Sequence, residues 1–200
     1  MQYNNGTMRL SILICSIEKR QEQLAELLTE LNLQITSCDA SDIVEVITEV
    51  DSKQITTGAK RNNLLNKAHG KYICFIDDDD HIYPNYIKLI LEAIESDADC
   101  IATTGIYTVN NGRKVRWKLS KDYQDENKYS EEFNQIVYFR RANHLTPVKR
   151  LLALQAMFPD QSNAEDKEYS SRLNPFLQSE VEIKELIYHY DYRSYDKEYT

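Results

Sequence analysis

Four consecutive carboxylates, Asp77-Asp78-Asp79-Asp80, stand directly behind a run of apolar and aromatic residues, 72–76. Like charges held this close on one backbone repel, and the arrangement is costly unless a hard cation neutralises it. A divalent cation carrying a bound diphosphate would meet that need. A calcium-binding EF-hand loop does not fit, because counting from Asp77 puts Ile82 where the turn glycine belongs and Lys88 where the bidentate glutamate belongs. The plainer alternative for any acid run is a solvated face. A second acidic pair, Glu165-Asp166, follows Asn163, a good helix N-cap, and both acids suit the positive end of a helix dipole.

The elements that must position these acids read as alternating strands and helices. Residues 72–76 suit a short buried strand, and Pro84 suits the first turn of a helix over 84–95, so the four aspartates occupy the turn between them. Ligands of α/β proteins bind beyond the carboxyl ends of strands. Upstream, 9–16 reads as a first strand and 18–33 as a helix with Leu24, Leu27, Leu28 and Leu31 at helical spacing. A second strand over 42–50 ends at Asp51, a loop runs to Gly58, and a helix over 59–68 is closed by Gly70.

Downstream, 99–104 reads as a strand. Residues 106–109 and 114–117 read as a hairpin around Asn110-Asn111-Gly112, with Asn-Gly supplying the positive φ. Residues 121–132 are polar and read as a surface loop, and 135–140 as a strand. A helix over 147–157 begins at Thr146-Pro147, another runs from 162 to about 173, and a last strand covers 182–190 before a tyrosine-rich tail. The expected class is α/β, with a Rossmann-like, mixed but mainly parallel sheet flanked by helices and a small antiparallel element in the C-terminal half.

The chain has 200 residues, 42% hydrophobic and 28% charged, with 5 Gly and 4 Pro, which suits one soluble globular domain over 1–200. A net charge of -8 argues against broad charge-driven binding to nucleic acid or anionic membrane. Cys15, Cys38, Cys74 and Cys100 form no C-x-x-C pair, so neither a zinc site nor a disulfide framework is signalled, and a reduced, cytoplasmic setting is expected. The polar stretch 1–7 and the short apolar run 10–17 do not make a signal peptide or a membrane span, so no integral membrane association is expected.

The segments Lys60-Arg61-Asn62, Ala68-x-Gly70-Lys71-Tyr72-Ile73, Phe75-Ile76-Asp77-Asp78-Asp79-Asp80 and Pro84-Asn85 resemble the family 2 glycosyltransferases of GT-A fold. Asn143-His144-Leu145-Thr146-Pro147-Val148-Lys149 and Phe158-Pro159-Asp160-x-x-x-Ala164-Glu165-Asp166 resemble the acceptor-side half of that family, and Ile187-Tyr188-His189-Tyr190 its C-terminal histidine segment. The motifs occur in family order over most of the chain. The resemblance implies a nucleotide-sugar half over about 1–104 and an acceptor half over about 105–200. It also implies a metal-dependent, inverting transfer of a sugar from a nucleotide-sugar donor, a UDP-sugar favoured. The acceptor hydroxyl would belong to a glycan, a protein, a lipid-linked sugar or a modified nucleobase.

Residue by residue, the resemblance makes Asp77-Asp78-Asp79 the D-x-D motif. Asp77 would stand near the ribose or metal, Asp79 would ligate Mn²⁺ or Mg²⁺, and Asp78 would belong with the nucleotide-sugar set. His189 would complete the metal shell, or else serve as a structural residue between two tyrosines. Asp51 would receive the base, and Ser16, Glu18 and Arg20 would grip the nucleotide, although Glu18 and Arg20 also read as ordinary helix-start residues. Lys60 and Arg61 would bring positive charge to the diphosphate, or lie on a solvated face. Asn62 would bond the sugar or hold a loop. Asp166 would be the catalytic base and Glu165 would orient the acceptor, a role compatible with stabilising the helix start by about 0.3–1 kcal/mol each. Asp80 has no counterpart role.

Two departures from the family are visible. The first strand ends Cys15-Ser16-Ile17 rather than in a Pro-x-Tyr-Asn type of ending, and the segment before Glu165-Asp166 lacks glycines. Acceptor specificity is expected in 121–132 and in the tail after Tyr190. An Asp-x-Asp phosphatase would place its acids on the first strand, and a nucleotidyltransferase would need a glycine-rich loop after it, where residues 16–21 contain no glycine. A non-catalytic nucleotide-sugar or carbohydrate-binding protein would bind without turnover.

Overall fold

The computed structural model describes residues 7–193. The polar N-terminus through residue 6 and the tyrosine-rich tail from residue 194 lie outside the described residues. The first half alternates β1 (Leu10–Ile17), α1 (Gln21–Ser37), β2 (Val44–Asp51), α2 (Thr57–Lys67), β3 (Tyr72–Phe75), β4 (His81–Ile82) and α3 (Tyr86–Ala93). The second half contributes β5 (Cys100–Val109), β6 (Val115–Ser120), β7 (Glu126–Ser130), β8 (Gln135–Arg141), β9 (Val148–Lys149), α4 (Arg150–Ala156), α5 (Glu165–Leu173) and β10 (Glu180–Tyr192).

The ten strands of the described residues join one mixed sheet in the order β2-β1-β3-β9-β5-β6-β8-β7, with β10 beside β5 and β4 beside β10. β2, β1 and β3 are parallel, β10 runs parallel to β5, and β5–β6 and β7–β8 are antiparallel. The expected boundary near residue 104 falls inside β5, so the two halves share a continuous strand.

The apolar runs form strands because both faces of the sheet are covered. Leu10, Ile12 and Ile14 of β1 and Tyr72, Cys74 and Ile76 pack with α1 and α3, while Leu13, Ile73 and Phe75 pack with α2, α4 and α5. Each such side chain removed from water contributes about 1.5–3 kcal/mol relative to exposure. Gly58, in the first turn of α2, lies so close to the loop before α5 that a Cβ would meet Pro159 O at 1.9 Å. Thr56 caps this helix through Ala59 N–H and also donates to Asp160 at 2.6 Å, which fixes the loop leading to α5.

Several local expectations are corrected. Residues 121–132 are not all loop: Glu126–Ser130 form β7, whose exposed polar side chains give no apolar alternation and whose strand geometry comes from its ladder to β8. Thr146-Pro147 starts no helix, because Val148–Lys149 first bridge β3 and β5 as β9. Pro84 precedes α3, which begins at Tyr86 after Asn85 in the N-cap position, and α2 ends at Lys67 with Ala68 rather than Gly70 as its C-cap. In the hairpin, positive φ falls on Asn110 (49°) and Asn111 (55°) rather than on Gly112. α5 begins at Glu165 after Ala164, which is left-handed at φ 58°, and Asn163 does not cap it. No helix among the described residues is long and apolar enough to cross a membrane, and the four cysteines are free thiols.

Candidate functional site

The carboxyl ends of β1, β2 and β3 bring Ser16, Asp51 and Asp77 to one side of the sheet. There the four aspartates alternate. Asp77 and Asp79 keep 35% and 24% of their side chains exposed, whereas Asp78 and Asp80 are buried at 3% and 4%. Asp78 accepts from Ser16 Oγ at 2.6 Å and from Arg20 at 2.8 Å, and Arg20 also reaches Asp79 at 3.1 Å. Ser16 and Arg20 thus anchor the acidic turn to the start of α1. Glu18 lies exposed on the 3-10 turn between them.

Asp77 faces Arg61 at 3.0 Å through one oxygen and His144 Nε2 at 3.3 Å through the other. Its backbone N–H donates to the Tyr188 hydroxyl at 3.2 Å, and that hydroxyl donates to Asp80 Oδ2 at 2.6 Å. These partners set four different charge environments on four identical residues. Burial would raise Asp77, but His144 and Arg61 outweigh it and hold the carboxyl well below its ordinary value. Asp79 is raised by burial and by Asp77 and Asp78, with Arg20 opposing. Burial, then Asp77, pushes Asp80 well above the usual carboxylate range.

The next ring of expected residues is largely committed to internal partners. Lys60 is buried, donating to Ser16 O at 3.0 Å and to Asp51 at 2.6 Å. Asp51 also accepts Ile55 N–H at 3.1 Å; burial opposes these bonds, yet its carboxyl is held below its ordinary value. Asn62 holds a loop, exchanging two hydrogen bonds with the backbone of Phe158 at 2.9 and 2.8 Å. Arg61 is 4% exposed, between the rings of Phe75 and Phe158 at 5.7 and 5.4 Å. Its second amino group lies 3.2 Å from Glu165, a charge contact without hydrogen-bond alignment. One buried guanidinium therefore links the D-x-D segment to the Glu-Asp segment.

Glu165 and Asp166 occupy the first turn of α5. Glu165 is buried, and that burial raises its carboxyl against the pull of Arg61. Asp166 lines a cavity of about 560 Å³ that also reaches Asp77, Asp80 and His144. Tyr107, Trp117, Tyr138 and Tyr190 form an aromatic wall, and Asn127, Arg140 and Arg141 come from β7 and β8. Trp117 lies so close over Gly105 that a Cβ there would meet its ring at 2.2 Å, so this wall depends on a glycine. Part of 121–132 does border the cavity, through Asp125 and Asn127. A second cavity of about 260 Å³ runs between α1 and the acidic turn, touching Asp78, Asp79, Asp80 and His81.

His189 stands opposite His81 across the β4–β10 ladder, with ring centroids 5.8 Å apart, and its Nε2 is 2.9 Å from Thr108 Oγ1. Burial and His81 lower its proton affinity. Among the described residues no group of three or more His, Cys, Asp or Glu is gathered to hold a metal ion, so Asp77, Asp79 and His189 form no ready-made cage. Asp79 nevertheless fits a cation: it is partly exposed, crowded by two acids, and shares one arginine with Asp78.

Sequence reasoning gave no role to His144, Tyr188, the aromatic wall or Arg140 and Arg141. His144 and Tyr188 lie inside the motif segments singled out above, and that placement was the available signal.

Residues 34–157 match the model of Glycosyl transferase family 2, a span that includes the four aspartates and His144 but ends before Glu165. The chain is 28% identical over 171 residues to the putative glycosyltransferase EpsH of Bacillus subtilis (strain 168), covering 77% of this chain and 49% of EpsH. It therefore spans about half the length of that curated relative. Among solved structures, S. aureus TarS 1-349 superposes with a TM-score of 0.61 at 18% identity, covering 92% of this chain and 60% of that one. The same TarS fragment in complex with UDP-GlcNAc gives 0.61 at 17%, covering 94% and 59%. The catalytic domain of Drosophila beta1,4galactosyltransferase 7 with xylobiose gives 0.51 at 14%, covering 90% and 66%.

Proposed function

Because this chain belongs to Glycosyl transferase family 2, we propose that it transfers a sugar from a nucleotide-sugar donor, a UDP-sugar favoured, to an acceptor hydroxyl with inversion. The observation that carries the reading is the shared cavity: Asp77 of the D-x-D segment and Asp166 of the Glu-Asp segment line the same 560 Å³ space. A base on one side of the sugar and the diphosphate on the other is the arrangement that direct displacement requires. The TarS fragment crystallised with UDP-GlcNAc and with UDP supports a uridine donor.

In this reading Asp166 takes the proton of the acceptor hydroxyl. The acceptor oxygen forms its bond to the anomeric carbon from the face opposite the diphosphate, and the bond from that carbon to the diphosphate oxygen breaks. Positioned general-base help is worth about 10²–10⁴-fold. Glu165, held by Arg61, fixes the start of α5 and so the direction of Asp166. Asp79 with Asp77 would hold Mn²⁺ or Mg²⁺, which supplies positive charge for the departing nucleotide diphosphate when bound. His189 is the proposed further protein ligand. Ser16 and Arg20 keep Asp78 from turning toward the donor, so Asp78 acts as a spacer. The cytosol is the proposed compartment.

The test is a screen of UDP-sugar hydrolysis with and without Mn²⁺. Metal-stimulated slow hydrolysis of one UDP-sugar is expected. Failure to bind any nucleotide sugar would refute the reading, and tight binding without any turnover would favour a non-catalytic binding protein.

A further inference from the structure

Asp80 is the acid with no role so far, and it is the least conventional one. It is 4% exposed, yet it lines both the large cavity that holds Asp166 and the smaller one beneath α1. Its Oδ2 accepts the Tyr188 hydroxyl at 2.6 Å, while its Oδ1 is buried with no hydrogen-bond partner. Tyr188 cannot swing away to serve another group. Its hydroxyl is also the acceptor for Asp77 N–H, its ring is buried, and Trp117 packs edge-on at 6.0 Å. The carboxyl is thus held through one oxygen, while the other is buried and unpaired in a residue that borders both cavities. A buried oxygen without a partner is costly, and the partner that fits is a group brought by a ligand.

We propose that Asp80 is a specificity-determining residue whose Oδ1 takes one ring hydroxyl of the sugar being transferred. The inference rests on the glycosyl-transfer reading. It assigns the hydroxyl to the donor sugar because Asp80 shares a turn with the donor-side residues Asp77 and Asp79 and a cavity with Asp166. The space between diphosphate and base is where the transferred sugar must sit. A sugar hydroxyl both gives and takes hydrogen bonds, so it suits Asp80 in either charge state. Sites built around one such bond reject analogues that lack the hydroxyl, because the protein group is then left unpaired.

The experiment is a cycle of protein and substrate changes with the UDP-sugar that the intact protein hydrolyses fastest. Hydrolysis kcat/KM is measured for that donor and its 3-, 4- and 6-deoxy forms, with the intact protein and with Asp80→Ala. The affinity of each protein for UDP with Mn²⁺ is measured alongside. One deoxy position is expected to cost the intact protein about 10–100-fold and to cost Asp80→Ala almost nothing further, with UDP affinity unchanged. Asp80→Leu keeps the branched shape of the side chain without its polar atoms and replaces the Ala variant if that one does not fold; the penalty at the same position then shrinks about threefold or more. Additive losses at every deoxy position, or a parallel loss of UDP affinity, would overturn the assignment. Failure of the parent reading is separate, since it shows as absence of UDP-sugar binding, or of any UDP-sugar hydrolysis, by the intact protein.

Discussion

The acids in and around the site fall into two sets that differ in whether they have been given a cation. Asp51 has Lys60, Asp77 has Arg61 and His144, and Asp78 has Arg20 and Ser16. Asp80 and Asp166 border the cavity with no cation at ion-pair distance among the described residues. The first group holds the donor-side frame, Asp77 alone keeping about a third of its side chain exposed, and the second is available to a substrate. Asp79 lies between the two, touching one arginine that it shares. A cation beside a carboxylate lowers its proton affinity and makes it a weaker base, so the division of labour follows from who is paired.

Removing the shared cation should break the paired side most severely. Arg61→Ala leaves Asp77 with His144 alone and Glu165 buried without its counter-charge, and stability should fall by about 3–5 kcal/mol, read by urea denaturation. A loss below about 1 kcal/mol would mean the link between the two acidic segments is unimportant to the frame.

Asp51 sharpens the same contrast at smaller size. Its folded carboxyl is held below the ordinary value, so the stabilisation it provides is present above about pH 4 and lost as pH falls through the folded value. Asp51→Asn should therefore cost about 1.5–3 kcal/mol near pH 7, and the gap to the unaltered protein should narrow below about pH 4. Denaturation curves at pH 7 and at the lowest pH where both proteins fold would show it. A gap that does not change with pH would mean the Lys60 contact is not electrostatic.

Much of the frame was legible because its signals are local. The apolar runs of β1 and β3 and the leucines of α1 specify two-sided burial without knowledge of neighbours. β7 was not legible, since Glu126–Ser130 carry no apolar alternation and become a strand only by pairing with β8. Nor was the start of α5, where the better cap, Asn163, is passed over and Ala164 takes a left-handed conformation. The acids of the site were visible in the same way, as residue types. Their charge environments were not, because Ser16, Arg61, His144 and Tyr188 reach them from distant elements. Arg61, expected beside the diphosphate, is buried between Asp77 and Glu165, contacts that no sequence pattern displays. The aromatic wall is legible only once β5, β6, β8 and β10 lie side by side.

The central claim is that paired and unpaired acids do different work, and one measurement tests it most directly. Donor binding and sugar transfer are followed side by side in Asp166→Asn and Asp79→Asn, with the acceptor or, before it is known, with water. Asp166→Asn should retain the affinity for UDP with Mn²⁺ and lose about 10²–10⁴-fold in transfer or hydrolysis. Asp79→Asn should lose the metal-dependent part of donor binding. Equal loss of donor binding in both variants would contradict the division of roles.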